Sequence, residues 1–257
     1  MYGTKSIDKE SVRRSVEMKI ARAGFCCPNR GFDADSVVAY GASEMMRVWL
    51  EKRLINCAIV VCEGAGTVIT IDGELAQSIG ARLTGIVKTS PIPRTIRRVE
   101  AKGGVVLDRK AARIDQVEGF KRACDLGFRR VAVSVAGFQA KAISEIRNLE
   151  SRLDMTALIF SVCNTCVTMK DVPHISKTDV ACASASRILR IKIGSKAVLQ
   201  LGVTIPVYAL TNRGKRFILA YLAECEYKLV AFRTGKLPYL LEGRGPRLRS
   251  FARSQKP

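Results

Sequence analysis

Residues 57–70, CAIVVCEGAGTVIT, constrain the fold more than any other stretch of the 257-residue chain. The run from Cys57 to Cys62 carries no charge, meets Glu63, and breaks at Gly64-Ala65-Gly66 before a second β-branched run, Thr67-Val68-Ile69-Thr70. A short apolar run bounded by turn residues reads as a buried strand. Glycines at its end let the main chain turn tightly and present its amides. In open α/β sheets ligands bind at loops of this kind, so the stretch predicts a core strand and a first candidate site together.

Helical and extended patterns alternate on either side. Residues 7–23 place Val12, Val16, Ile20 and Ala23 at helical spacing with Asp8 as a candidate N-cap, which predicts an amphipathic helix packed on the domain edge. Residues 25–32 read as a loop from their Pro, Asn and Gly content, and 42–54 return to a helical period. Further helices are expected at 73–83, 94–102 after Pro93, 115–126, 138–153, weakly at 169–177, and at 213–228. Strands are expected at 105–108, 130–136, 156–162, 180–183 and 203–210. Strands separated by helices of ten or so residues imply right-handed parallel crossovers. The expected fold class is therefore α/β, a three-layer sandwich with a mostly parallel, Rossmann-like sheet of about six or seven strands. Residues 1–232 read as a single α/β domain, and 233–257 as a basic tail, rich in Gly, Pro and Arg and expected to be flexible.

The chain holds 43 Lys and Arg against 23 Asp and Glu, a formal charge of +20, which favours acidic partners. Aromatic residues make up 6% and fall mostly inside apolar runs, so base-stacking platforms are scarce and a nucleic-acid role rests on net charge alone. No apolar run approaches the roughly 20 residues that span a bilayer. The polar start lacks the apolar centre of a signal peptide, so a cytoplasmic location is expected. Nine scattered cysteines in apolar surroundings fit small buried hydrophobes in a reducing compartment rather than disulfides.

Three places offer chemistry. Gly64, Ala65, Gly66 and Thr67 follow a strand and suit main-chain approach to an anion, although the spacing matches neither the dinucleotide nor the phosphate-loop motif. Lys88, Thr89 and Ser90 set a cation and two hydroxyls before a helix that starts with proline, a second anion-binding candidate or, equally, a helix cap. If the two loops share one edge, they share one ligand. Cys163 and Cys166, spaced by two residues, are weak metal or redox candidates with Cys182 and the sole histidine, His174, as further ligands. Among the acids near element ends, Glu44 and Glu63 are the preferred candidates for proton transfer. No cofactor is named by these patterns.

Several stretches, taken in order, also resemble a known family. Tyr40-Gly41-Ala42-Ser43-Glu44, Val60-Val61-Cys62-Glu63-Gly64-Ala65-Gly66-Thr67-Val68, Gly85-Ile86-Val87-Lys88-Thr89-Ser90-Pro91-Ile92-Pro93, Ile114-Asp115-Gln116-Val117-Glu118-Gly119 and Ala181-Cys182-Ala183-Ser184 closely resemble methanogenesis marker protein 8. The resemblance implies a cytosolic archaeal protein tied to methane metabolism, with no agreed activity. It favours an accessory or maturation factor, with methyl-coenzyme M reductase or its cofactor as the partner system. The Gly64 and Lys88 loops fall inside the shared stretches, whereas the Cys163 and Cys166 pair is not a fixed feature of the family. The alternatives are an enzyme acting on an anionic or phosphorylated small molecule, and a nucleic-acid-associated basic protein.

Overall fold

The computed structural model describes residues 8–34, 39–81 and 85–239. The chain divides into two compact units, Met1–Ser134 with Asn148–Ala157, and Val135–Arg147 with Leu158–Pro257. Most of the basic tail, from residue 240 onward, lies outside the described residues.

In the first unit, α1 (Lys9–Ala23) starts at Asp8, whose side chain accepts from the Ser11 amide while Ser11 returns the bond to the Asp8 amide. None of its side chains is buried: Val12 and Ile20 are exposed and Val16 is half-buried. Its apolar stripe is too thin to drive packing, so the capping box and the Glu10 pairs with Arg13 and Arg14 maintain it. α2 (Ala42–Glu51) buries Met45, Met46, Trp49 and Leu50. It leads into β1 (Cys57–Cys62), β2 (Gly66–Thr70) and α3 (Gly73–Gly80), which is capped by Asp72. α4 (Pro93–Ala101) starts on its proline and buries Thr95, Ile96 and Val99. β3 (Val105–Val106), α5 (Gln116–Asp125) and the first part of β4 (Arg130–Ala136) complete this unit.

The second unit takes the end of β4, most of the helix α6 (Lys141–Arg152) up to Arg147, and β5 (Thr156–Val162) from Leu158 onward. α7 (Val172–Ile175), β6 (Val180–Cys182), a π-helical turn at Leu189–Ile193, β7 (Leu199–Leu201), β8 (Val207–Ala209) and α8 (Asn212–Ala223) follow.

The strands form one mixed sheet of eight in the order β3-β2-β1-β4-β5-β6-β8-β7. The expected α/β class and a mostly parallel core hold, but the sheet is mixed, with antiparallel strands on both flanks, and has eight strands among the described residues where six or seven were expected. Parallel pairing holds in the middle, β1 with β4 and β5 with β6. β1/β2, β2/β3, β6/β8 and β7/β8 are antiparallel. For β1/β2 the reason is connection length: a parallel return needs a dozen or more residues, and the Gly64 turn offers only three between Cys62 and Gly66. The expected strand at 203–210 contracts to Val207–Ala209, and β7 precedes it as an extra edge strand.

Candidate functional site

The first unit is organised around a buried ion pair. Glu63 stands at the end of β1, and the Arg30 Nε donates to its Oε1 at 2.6 Å; both side chains are 1% exposed. Arg30 reaches this position from the loop after α1. There Gly24 turns the chain in the left-handed region (φ 63°), and a Cβ on it would meet the Arg30 main chain at 2.8 Å. The guanidinium also donates to Gly31 O at 2.7 Å and to Ser78 O and Ile79 O at 3.1 Å each. The last two carbonyls close α3, whose negative dipole end thus meets a cation. Phe32 packs 4.3 Å from the Arg30 guanidinium and 5.0 Å from that of Arg98, and Arg98 donates to the Arg30 carbonyl.

Glu63 uses only one of its oxygens, since Oε2 is buried without a hydrogen-bond partner. Two thiols lie within its electrostatic reach. Burial, then the Glu63 charge, pushes the Cys26 thiol up; burial pushes Cys62 up to about 12. Both are thiols rather than thiolates at neutral pH, and so poor nucleophiles.

The two loops singled out from the sequence do meet. The Gly64 amide donates to Thr89 Oγ1 at 2.8 Å, and the Ile92 amide donates to Gly64 O at 2.8 Å. Their amides, however, point into the protein's own bonds. Ala65 N donates to Cys62 O at 3.2 Å and Thr67 N to Arg113 O at 3.0 Å. Thr67 Oγ1 donates to Gln116 Oε1 and accepts from the Asp115 amide, both at 2.8 Å. A Cβ on Gly66 (φ 76°) would sit 2.3 Å from Ala112 O. The turn is thus covered by chain on the side where an anion would approach. Lys88 and Ser90 are exposed and Thr89 is half-buried. Glu44 is half-buried in the first turn of α2, next to the buried Ser43.

The second unit has its own buried carboxylate. Asp179, with 0% side-chain exposure, accepts from Arg147 Nη2 at 2.6 Å, Arg213 Nε at 2.9 Å, Thr211 Oγ1 at 2.8 Å and the Ile159 amide at 3.0 Å. Burial would raise its pKa, but the two guanidinium groups outweigh that effect and hold it below the ordinary carboxylate range. With its lone pairs occupied, Asp179 ties β5, β6, α6 and the start of α8 together. Cys163 takes a left-handed conformation (φ 53°) after β5, Cys166 is exposed and Cys182 half-buried. His174 Nδ1 bonds Ser144 Oγ at 2.8 Å. Among the described residues no three His, Cys, Asp or Glu side chains gather as a metal set.

Sequence reasoning missed Arg30 and Asp179. A glutamate set in an apolar run was the available signal for Arg30, because a buried carboxylate needs a cation. A family described as "Uncharacterized protein conserved in archaea (DUF2099)" matches residues 1–223. The chain belongs to this archaeal family. A relative, "Uncharacterized protein MJ0054" of Methanocaldococcus jannaschii, is 35% identical over 232 residues, 89% of this chain and 80% of that protein. The matched span of the family takes in Arg30, Glu63, the Gly64 turn, the Lys88 loop and the Asp179 cluster. Among the described residues no helix is long and apolar enough to cross a membrane.

Proposed function

We propose that the protein is an accessory or maturation factor of the methane-forming machinery, of the marker protein 8 kind, that docks on an acidic surface of its partner. Methyl-coenzyme M reductase, or the assembly that supplies its cofactor, is the partner proposed. The observation that carries the reading is the use to which the Gly64 turn is put. Its amide and carbonyl bind Thr89 and Ile92, so it anchors the start of α4 instead of holding a ligand. α4 then shows Arg94 and Arg97 to solvent, flanked by exposed Lys88 and Lys102, while its other side is buried. The one acid of the helix, Glu100, is engaged by Arg109 at 3.2 Å. A firmly seated helix whose Arg94 and Arg97 have no acidic partner among the described residues suits electrostatic docking on an acidic partner. The methanogen relative supports the metabolic setting.

The test is capture from methanogen extract at about 0.15 M salt, where the screening length is on the order of 8 Å. Wild-type protein should retain reductase subunits, and the Arg94→Glu/Arg97→Glu variant should lose them while keeping its thermal midpoint. Retention by the variant, or wild-type capture without reductase, refutes the reading.

A second reading, an enzyme acting on an anionic or phosphorylated small molecule, is favoured by Glu63 Oε2, which has no hydrogen-bond partner among the described residues, and by the parallel pairing in the middle of the sheet. Stabilisation by anionic metabolites that disappears in Lys88→Ala supports it; stabilisation indifferent to that change counts against it.

A further inference from the structure

The second unit buries a second cation, and this one has no counter-charge among the described residues. Arg190 lies in the π-helical turn Leu189–Ile193 and is 3% exposed. Its Nη2 donates to Thr204 O at 2.6 Å, but its Nε has no hydrogen-bond partner among the described residues. Asp179, the buried carboxylate of this unit, is already taken by Arg147 and Arg213. Tyr208 in β8 is 0% exposed, and its hydroxyl is likewise without a partner. It lies under the residue that follows the π-helical turn, where a Cβ on Gly194 would stand 2.9 Å from Tyr208 Oη.

Arg190, Tyr208 and Cys182 are within electrostatic reach of one another. Burial pushes Tyr208 up to about 12 and raises the Cys182 thiol as well, so both neighbours are neutral at physiological pH and neither offsets the guanidinium. A buried charge left unpaired is costly, and buried donors without acceptors are rare in native proteins. The surroundings are those of a binding site. Cys182 ends β6, a strand parallel to β5, and Cys163 and Ser184 just beyond these two strands hold left-handed conformations (φ 53° and 48°). The Asn164 amide donates to Ser184 Oγ at 3.0 Å and joins the two bends. Ligands of α/β sheets bind outside the carboxyl ends of such strands, and π-helical turns recur at functional sites.

We propose that Arg190 and Tyr208 form a binding site for a small oxyanion, the carboxylate or phosphate of a metabolite. The guanidinium supplies charge and its free Nε–H, and the phenol adds a neutral donor. The site is independent of the cationic face of α4.

Thermal midpoints of the full chain, followed by far-UV circular dichroism, test this with inorganic phosphate in one arm and malonate in another. Potassium chloride at equal ionic strength controls for screening of the +20 charge. Phosphate or malonate should raise the midpoint beyond chloride, and whichever acts identifies the anion class. Tyr208→Phe should weaken the apparent affinity about tenfold, the loss of one hydrogen bond to a charged group. Arg190→Met should abolish the response while its midpoint without anion stays at or above that of the wild type, because an unpaired buried charge is gone. If Arg190→Met does not fold, Tyr208→Phe decides alone. The proposal is overturned if neither anion exceeds chloride, or if Tyr208→Phe responds as the wild type does, which would place the anions on the cationic surface.

Discussion

Replacing Arg30 by methionine should destabilise the first unit far more than replacing its partner, and the asymmetry can be worked from the bonds. Arg30→Met removes the one partner that the Glu63 carboxylate has among the described residues and leaves it 1% exposed, with its other oxygen already unsatisfied. Stranding one member of a buried pair costs about 3–5 kcal/mol. The carbonyls of Gly31, Ser78 and Ile79 lose their donor as well, and each buried acceptor so abandoned adds about 1 kcal/mol. Glu63→Gln strands the Arg30 charge in turn, but it keeps an acceptor near Nε and leaves three carbonyls around the guanidinium, so the cost should be smaller, about 2–3 kcal/mol. Adding Glu63→Leu to Arg30→Met removes the stranded charge and should recover about 2 kcal/mol or more. Trp49 is the single tryptophan, lies in this unit and is 0% exposed, so its fluorescence during urea unfolding reports on this unit directly. Equal costs for the two single variants, or strict additivity in the double variant, would show that the pair does not carry the energy assigned to it.

Three further outcomes are expected. The depressed pKa of Asp179 means that its contribution to stability is present above the unfolded carboxylate value, about 3.9, and is lost as pH falls through the lower folded value. Acid titration by circular dichroism should therefore show a low-pH transition that Asp179→Asn lacks, the variant being less stable at neutral pH. Gly66→Ala should cost at least about 2 kcal/mol more than Gly103→Ala in thermal melts: both positions have positive φ (76° and 77°), but a Cβ at Gly66 meets main-chain oxygens at 2.3–2.5 Å and one at Gly103 meets nothing within 4 Å. Alkylation followed by peptide mass spectrometry should modify Cys166 in the native protein and reach Cys57 and Cys62 only on unfolding, since burial pushes both thiols up to about 12.

Local order was legible in the sequence where caps and breakers coincide with periodicity. The Asp8 cap, the Pro93 start, and the strands at Arg130–Ala136 and Thr156–Val162 lie where the residues placed them. Pairing direction was harder: β2 follows β1 by a hairpin, and β3 returns antiparallel to β2 although two helices, α3 and α4, lie between them. The stretch 189–201 resisted because a π-helical turn has no four-residue period, and β7 is only three residues long. Glycine and hydroxyl content marked the Gly64 and Lys88 loops as turns, but their convergence stood only as a condition, because composition fixes no distance between segments 25 residues apart. That Thr89 would consume the Gly64 amide was not foreseeable, since a hydroxyl near a turn serves a ligand and a main-chain donor equally well. Arg30 and Asp179 act across 33 and 32 to 34 residues of chain, a range at which side-chain pairing leaves no local pattern.

The way the chain crosses its own boundary limits how the protein can be dissected. It leaves the first unit after Ser134, comes back for Asn148–Ala157, and departs again. Neither half is therefore a continuous stretch of gene, and a simple truncation at either crossing removes residues that the retained half requires. A ribosome must emit Ala157 before the first unit has all of its parts, so that unit is complete only after an opening portion of the second has been synthesised.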